Sequence, residues 1–242
     1  FDTELVIYRT DDGEAVLMDA YCPHMGAHLG HGIHDNIGEG GSVTGDNISC
    51  PFHGWTFNKE GIVVNIPYAE NIPKKVAGKK CIKTYPIRDV NQTIMAWYHP
   101  KSIEPLWEPD VYEEAINENW SQFDKYQYTF GAHLQETAEN GADSAHFVYV
   151  HGTSTLPEWE FSYENHKRLG VMKAKMPTPR GEIDGAINIF GSGPGQSATR
   201  FTGICETFLM GLPTPIDSEN MELRFAFSQE KIKGETPKGG VA

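Results

Sequence analysis

Four residues in the first quarter of the chain have the types and spacing of metal ligands: Cys22 and His24, then Cys50 and His53. They occur as C-x-H, 25 intervening residues, and C-x-x-H, each arm supplying one thiolate and one imidazole. A structural Cys2His2 zinc site is the plain alternative, but zinc fingers pair like ligands locally, two cysteines and then two histidines. Here both arms are mixed, and each lies in a Pro/Gly-bearing loop between strand-like runs. Two such loops side by side can give both cysteines to one iron and both histidines to another. Further along, ENGADSAHFVYVHG places Asp143, His146 and His151 in a D-x-x-H-x4-H pattern. Two histidines at that spacing on a helix share a face. Alone such a pair is more often structural than ligating, whereas two histidines with one carboxylate form the set that leaves positions open on Fe(II).

The elements that must position these residues differ between the two halves. TELVIYRT, the turn DDGE and AVLMDAY read as a hairpin running into Cys22, and NISCPFHGWTFN, the turn NKEG and GIVVNIP follow, so the first 85 or so residues read as all-β. KCIKTYPIRDV and QTIMAWYHP are further strand-like runs, and SIEPLWEPDVYEE is a proline-bearing connector. DKYQYTFGAHLQ reads as a strand, ETAENGADSAHFVYVHG as one helix. RLGVMKAKMP, GAINIFGSG, ATRFTGICETFLMGLP and ENMELRFAFSQE alternate as successive antiparallel strands, with GSGPGQS as a hairpin loop. One helix against a curved sheet is implied.

Length and composition set the class. A chain of 242 residues, 39% hydrophobic, can bury a real core. Its net charge of −13 argues against nucleic-acid binding, which needs basic surface to neutralise phosphate. No apolar run of 18 residues and no signal-type segment appears. Four cysteines are too few for a secreted disulfide scaffold and fit a reducing compartment. Cys81 and Cys205 read as small buried hydrophobes. The chain starts at FDTELVIYRT without Met and reads as a fragment short at both ends.

CPHMGAHLG with CPFHGW, and then D-x-x-H-x4-H, resemble the oxygenase (alpha) components of Rieske non-haem iron oxygenases over almost the whole chain. The similarity is greatest to the 3-ketosteroid 9α-hydroxylase and cholesterol 7-desaturase branch. The resemblance implies an α+β protein: an N-terminal all-β Rieske [2Fe–2S] domain over 1–88, then a helix-grip (START-like) catalytic domain with a curved antiparallel sheet over 89–242, C-terminally truncated. It implies that Cys22, His24, Cys50 and His53 hold the [2Fe–2S] cluster, in which histidines replacing thiolates raise the potential. His146 and His151 would bind mononuclear Fe(II), with a third carboxylate ligand from beyond Ala242, since Asp184 and Asp217 lie in turn-like settings. Asp143 would bridge the metal sites as an electron path, and Asn140 would line the iron pocket.

The same resemblance implies a terminal monooxygenase that takes O2 and electrons from an NAD(P)H-dependent flavin/iron–sulfur reductase or ferredoxin. Its substrate would be a hydrophobic small molecule, a steroid or sterol, hydroxylated or desaturated. A homotrimer, a cytoplasmic location and no nucleic-acid partner follow, with a membrane anchor in a missing N-terminal region left open. An oxygenase for aromatic or other hydrophobic substrates and a Rieske electron carrier without its own catalysis are the competing readings. The stretch 31–48 is longer than the family's usual connection and reads as a surface loop, with His28, His31 and His34 as ordinary polar residues on or near it. Trp55 and Phe52 are expected to shield the cluster. Phe190, Phe201, Phe208, Leu212 and Phe225 either line an apolar pocket or serve as core.

Overall fold

The structure, a computed structural model, describes residues 3–32, 40–178, 181–203 and 205–237. His34 lies outside them. The chain forms two compact units, Asp2–Leu106 and Trp107–Ala242.

The first unit is all-β, as expected. A hairpin of β1 (Leu5–Arg9) and β2 (Ala15–Asp19) stands beside a four-stranded antiparallel sheet of β3 (Val43–Thr44), β4 (Asn47–Ser49), β5 (Thr56–Phe57) and β6 (Val63–Asn65), followed by the hairpin β7 (Ile87–Val90) and β8 (Thr93–Ala96). Val6, Tyr8, Val16 and Met18 alternate inward with Ile48, Phe57 and Val63, forming a core that also buries Cys22 and Cys50. Of the run KCIKTYPIRDV only Ile87–Val90 is strand; the preceding residues make isolated bridges, Ile62 with Lys80 and Met18 with Thr84.

The two loops that carry the candidate ligands share one backbone design. Each reads Cys-Pro-x-x-Gly. Gly26 N–H donates to Cys22 C=O at 2.9 Å and Gly54 N–H to Cys50 C=O at 3.0 Å; Cys22 N–H donates to Ala27 C=O at 2.9 Å and Cys50 N–H to Trp55 C=O at 2.8 Å. Both glycines have positive φ, 75° and 71°, which L side chains resist.

In the second unit, β10 (Glu158–Glu164), β11 (Lys167–Thr178), β12 (Gly181–Ser192), β13 (Gln196–Thr202), β14 (Thr207–Pro215) and β15 (Met221–Gln229) form a meander, and β9 (Asp124–Phe130) pairs with β15. All seven run antiparallel to their neighbours. Because β9 and β10 lie at opposite edges, the chain between them must cross the sheet. It does so as two helices, α1 (Leu134–Asn140) and α2 (Ala145–Tyr149), not the single helix expected over 136–152. The break follows from Asp143, whose Oδ1 accepts from Ala145 N–H at 2.8 Å and so starts a new helix after Gly141. Strand β10, whose Trp159, Phe161 and Tyr163 alternate with polar residues, goes unassigned in the sequence reading. ATRFTGICETFLMGLP is two strands, parted between Thr202 and Thr207.

Register separates the sheet's faces. The row Trp159, Met172, Ile187 and Phe201 faces the helices, where Phe147 of α2 packs on it. The opposite face carries Phe190, Ala198, Phe208, Met210 and Leu212, out of phase with that row by one residue along each strand. There Phe208, 1% exposed, is covered by Tyr112, Trp120 and Phe123 of the connector. Of the five residues read as pocket or core, only Phe201 and Phe225 share the helix-facing side. Gln196 clips the connector on, its amide bonding both the N–H (2.8 Å) and the C=O (2.9 Å) of Asp110.

Two stability outcomes follow. Phe208→Ala removes a fully buried ring and is expected to lower unfolding free energy by about 3–5 kcal/mol in denaturant titration; a loss below 1 kcal/mol would show that the connector does not cover this face. A Cβ on Gly54 would sit 2.8 Å from Cγ of Pro67, whereas nothing lies within 4 Å of one on Gly26. Gly26→Ala is therefore expected to cost about 1 kcal/mol and Gly54→Ala about 2 kcal/mol or more, read as unequal falls in Tm.

Candidate metal centres

The twin loops of the first unit bring their ligands together by type. Cys22 and Cys50 are 2% and 5% exposed, and their side chains are within hydrogen-bonding contact of each other. Burial pushes the Cys22 thiol up to about 11, Cys50 adding to the shift, while backbone N–H groups of His24 and Met25 point at its sulfur and oppose it. A thiol so buried is suited to give its proton up to a metal rather than to water. His24 and His53 lie with ring centroids 4.9 Å apart at 73°. Nδ1 of His53 is buried without a hydrogen-bond partner.

The reason for this sorting is local. The loops have equal backbones, but the histidine stands two residues after Cys22 and three after Cys50. Among the described residues no three of His, Cys, Asp and Glu converge on one metal-ion position. A single tetrahedral zinc needs all four ligands at one point; a thiol pair and an imidazole pair instead match the two unlike ends of a binuclear cluster. The donor set fits that group.

Trp55 stacks on His24 at 4.6 Å and 6°, and its Nε1 donates to Tyr68 Oη at 2.6 Å, so it walls the imidazole pair. Phe52 lies against His53 at 3.9 Å but is 62% exposed and covers only its outer side. His28 accepts from Gly30 N–H at 3.0 Å, and its ring centroid is 4.1 Å from that of His31 at a tilt of 58°, a local loop contact. Cys81 and Cys205 are only partly buried: Cys81 donates to Lys79 C=O at 3.4 Å, and Cys205 sits 3.5 Å from Thr207 Oγ1.

In the second unit α2 and the residues just beyond it carry the other set. His146 lies in α2 and His151 two residues past it, yet their ring centroids are 5.2 Å apart. Phe147, buried beneath them, touches both rings at 4.2 and 5.3 Å and rests on Trp159 at 5.8 Å. Asp143 uses one oxygen to start α2 and holds the other 3.7 Å from His146 Nδ1, leaving Nε2 of that ring for another partner. Burial first, and His146 second, holds the His151 pKa below the usual imidazole value, so its lone pair is available at neutral pH. Asn140 ends α1, and its C=O accepts from Asp143 N–H at 3.3 Å.

No described carboxylate completes a three-member set with His146 and His151. Asp184 pairs with Lys175 at 3.2 Å and is 90% exposed. Asp217 is occupied by Glu219 N–H, Asn220 N–H and the Asn220 amide, which hold its carboxyl below the usual range. Two supports went unread in the sequence. Arg168 donates to Ala138 C=O at 3.0 Å, tying down the C-terminal end of α1, and nothing marks it except an inward register position. Phe147 was legible as the apolar residue beside His146, which must face the sheet if the histidines face away.

The chain matches two family models, the Rieske [2Fe-2S] domain over residues 1–86 and the 3-ketosteroid 9alpha-hydroxylase C-terminal domain over 96–241. It is 38% identical to cholesterol 7-desaturase nvd of Xenopus laevis over 171 residues, covering 70% of this chain and 35% of that protein. It is 32% identical over 179 residues to a probable 3-ketosteroid-9-alpha-monooxygenase oxygenase component of Rhodococcus rhodochrous, covering 72% and 41%. The chain thus spans about a third of the length of the curated desaturases it matches. Its fold is that of dicamba monooxygenase (TM-score 0.74, 18% identity, 95% of this chain and 71% of that one) and of Pseudomonas putida CBB5 NdmA with caffeine (0.76, 20%, 95% and 66%). The paired thiols and imidazoles, the histidine-bearing helices across a sheet and these matches agree: the chain belongs to the Rieske oxygenases, joining a Rieske [2Fe-2S] domain to the C-terminal domain of the 3-ketosteroid 9α-hydroxylase family.

Proposed function

We propose that this chain carries the two metal centres of a terminal oxygenase that hydroxylates or desaturates a steroid or sterol. The observation that carries the reading is the occurrence in one chain of a sorted thiol and imidazole pair and of a second histidine pair steadied by a carboxylate. The division of labour runs between 1–88 and 89–242. Cys22 and Cys50 hold one iron of the cluster and His24 and His53 the other; His146 and His151 hold mononuclear Fe(II), and a carboxylate outside these 242 residues is the third ligand. When bound, the cluster would supply single electrons and the Fe(II) would supply dioxygen activation.

The chain's own residues do the rest. Asp143 Oδ2 stands 3.7 Å from His146 Nδ1, a buried nitrogen with no hydrogen-bond partner, close enough for its charge to raise the basicity of that ring. Its half-exposed carboxylate supports a second role, contact with a neighbouring copy in a trimer, where it forms the electron path between metal sites. Asn140, at the end of α1, borders the same helix break. Phe147 closes the histidine pair from below. The helix-facing side of the sheet offers Phe161, Phe201, Leu209, Phe225 and Phe227, an apolar surface suited to a fused hydrocarbon ring system. Electrons come from a flavin/iron–sulfur reductase or a ferredoxin. A cytoplasmic location belongs to the same reading. Among the described residues no helix is long and apolar enough to cross a membrane.

In the full-length protein, His146→Ala is expected to lose mononuclear iron and substrate-dependent O2 uptake while the cluster's electron paramagnetic resonance signal persists. Unchanged iron content and O2 uptake would favour an electron carrier. Asp143→Asn is expected to keep both metal centres but slow turnover about 10–100-fold; turnover within twofold of wild type would remove Asp143 from the electron path. Steroid turnover with a generic reductase, against aromatic substrates in parallel, separates the steroid assignment from the aromatic one.

A further inference from the structure

Between Glu70 and Asp89 the chain carries Lys74, Lys75, Lys79, Lys80, Lys83 and Arg88 and no acidic residue, in a protein whose net charge is −13. All five lysines are exposed. Lys74, Lys75 and Lys79 enter no ion pair among the described residues. Lys80 Nζ donates to Thr84 Oγ1 at 2.6 Å, and Lys83 Nζ stands 4.6 Å from the Tyr85 ring and 5.8 Å from that of Tyr98. Beside them opens a groove of about 590 Å3 walled by Lys80, Lys83, Tyr85, Trp97, His99 and Glu104.

This basic surface is fixed, and it is fixed to the cluster loops. Val76 N–H donates to Pro73 C=O and Lys79 N–H to Val76 C=O, at 2.9 and 3.1 Å, folding the lysine turn. Cys81 and Ile82 N–H groups donate to Gly61 C=O, and Lys83 C=O accepts from Asp19 N–H at 2.9 Å, three residues before Cys22. Beneath the turn Ile72, Val76, Cys81 and Ile82 pack into the core that contains Cys22 and Cys50. The lysine turn and the two cysteines thus rest on the same core.

We propose that the Lys74–Lys83 surface is the docking site of an acidic one-electron donor protein, an inference that rests on the electron-accepting reading of the cluster given above. A basic patch on an otherwise acidic molecule steers a negatively charged partner to one place and repels it elsewhere. The rigid turn then presents that partner behind the cluster's cysteines. One electron leaves the reduced donor and enters the [2Fe–2S] cluster; the donor is oxidised and the cluster reduced by one, with no bond formed or broken.

The test uses full-length protein with its cluster and, as probe, an acidic plant-type [2Fe–2S] ferredoxin reduced beforehand, mixed by stopped flow at several ionic strengths. The triple variant Lys74→Glu, Lys75→Glu, Lys79→Glu is expected to take electrons from the ferredoxin at least about tenfold more slowly at low salt, and to lose the wild type's fall in rate with added salt. Photoreduced deazaflavin, a small reductant, should reduce both proteins equally. Ferredoxin rates and salt dependence unchanged from wild type would overturn the proposal, as would an equal loss in a matched reversal of Lys173 and Lys231. Should the glutamates prevent cluster assembly, glutamine at the same three positions is expected to slow the ferredoxin reaction about threefold with the same flattened salt dependence, and a wild-type rate there overturns it. If neither reductant reduces the wild type, the cluster reading itself fails, separately from the docking site.

Discussion

The backbone closure of the two Cys-Pro-x-x-Gly loops is the constraint on which the first unit depends. Each loop ties its cysteine twice, through the Gly26 or Gly54 N–H to the cysteine C=O and through the cysteine N–H to Ala27 or Trp55 C=O. Each such bond is worth only about 1 kcal/mol net, yet leaving the N–H of a buried cysteine unpaired costs more than that. With the cysteines pinned identically, the one-residue difference in histidine position decides where the imidazoles go. Thiols meet thiols and imidazoles meet imidazoles. The hydrophobic core of Met18, Ile48, Phe57 and Val63 then keeps water from the sulfurs, which is why the Cys22 thiol titrates so high when it has only a proton to bind.

In the second unit the corresponding constraint is topological. A strand that pairs at one edge of a seven-stranded sheet, followed by a meander that begins at the other edge, obliges the connection to traverse a face. The traverse is made of helices because the backbone there has no strand partner and must satisfy its own hydrogen bonds. Two short helices alone would be marginal in water. They are held by Phe147 on the sheet, by Arg168 on the end of α1 and by the capping box at His133 and Glu136. His151 turns back toward His146 past the end of α2, where Val150 N–H still donates to His146 C=O at 2.7 Å. The Asp143 carboxylate shapes the backbone and addresses the imidazole, coupling the local fold to the chemistry.

Much of this was legible in the sequence because it rests on local chemistry. C-x-H and C-x-x-H in proline- and glycine-bearing loops announce a metal site without any tertiary knowledge, and the alternating runs announce the sheet. What was not legible depends on register or on partners distant in sequence. Whether Phe190, Phe208 and Leu212 are pocket or core is undecided until pairing with β13 and β15 puts them on the face under the connector. The helix around His146 looks continuous because Asp143 and Gly141 are weak breakers whose effect appears only when the Asp143 carboxylate caps Ala145. Strand β10 hid because its alternation, Trp159, Phe161, Tyr163, is short and follows a turn-rich stretch.

The measurement that tests the central assignment most directly is pulsed electron–nuclear double resonance on the anaerobically purified, one-electron-reduced protein, grown with 15N-histidine. Cys22, His24, Cys50 and His53 sorted into thiol and imidazole pairs require two inequivalent 15N couplings at a [2Fe–2S] centre, and replacing either His24 or His53 should remove one of the two. A reduced cluster with no histidine coupling, or a stoichiometric zinc ion with no acid-labile sulfide, would contradict it.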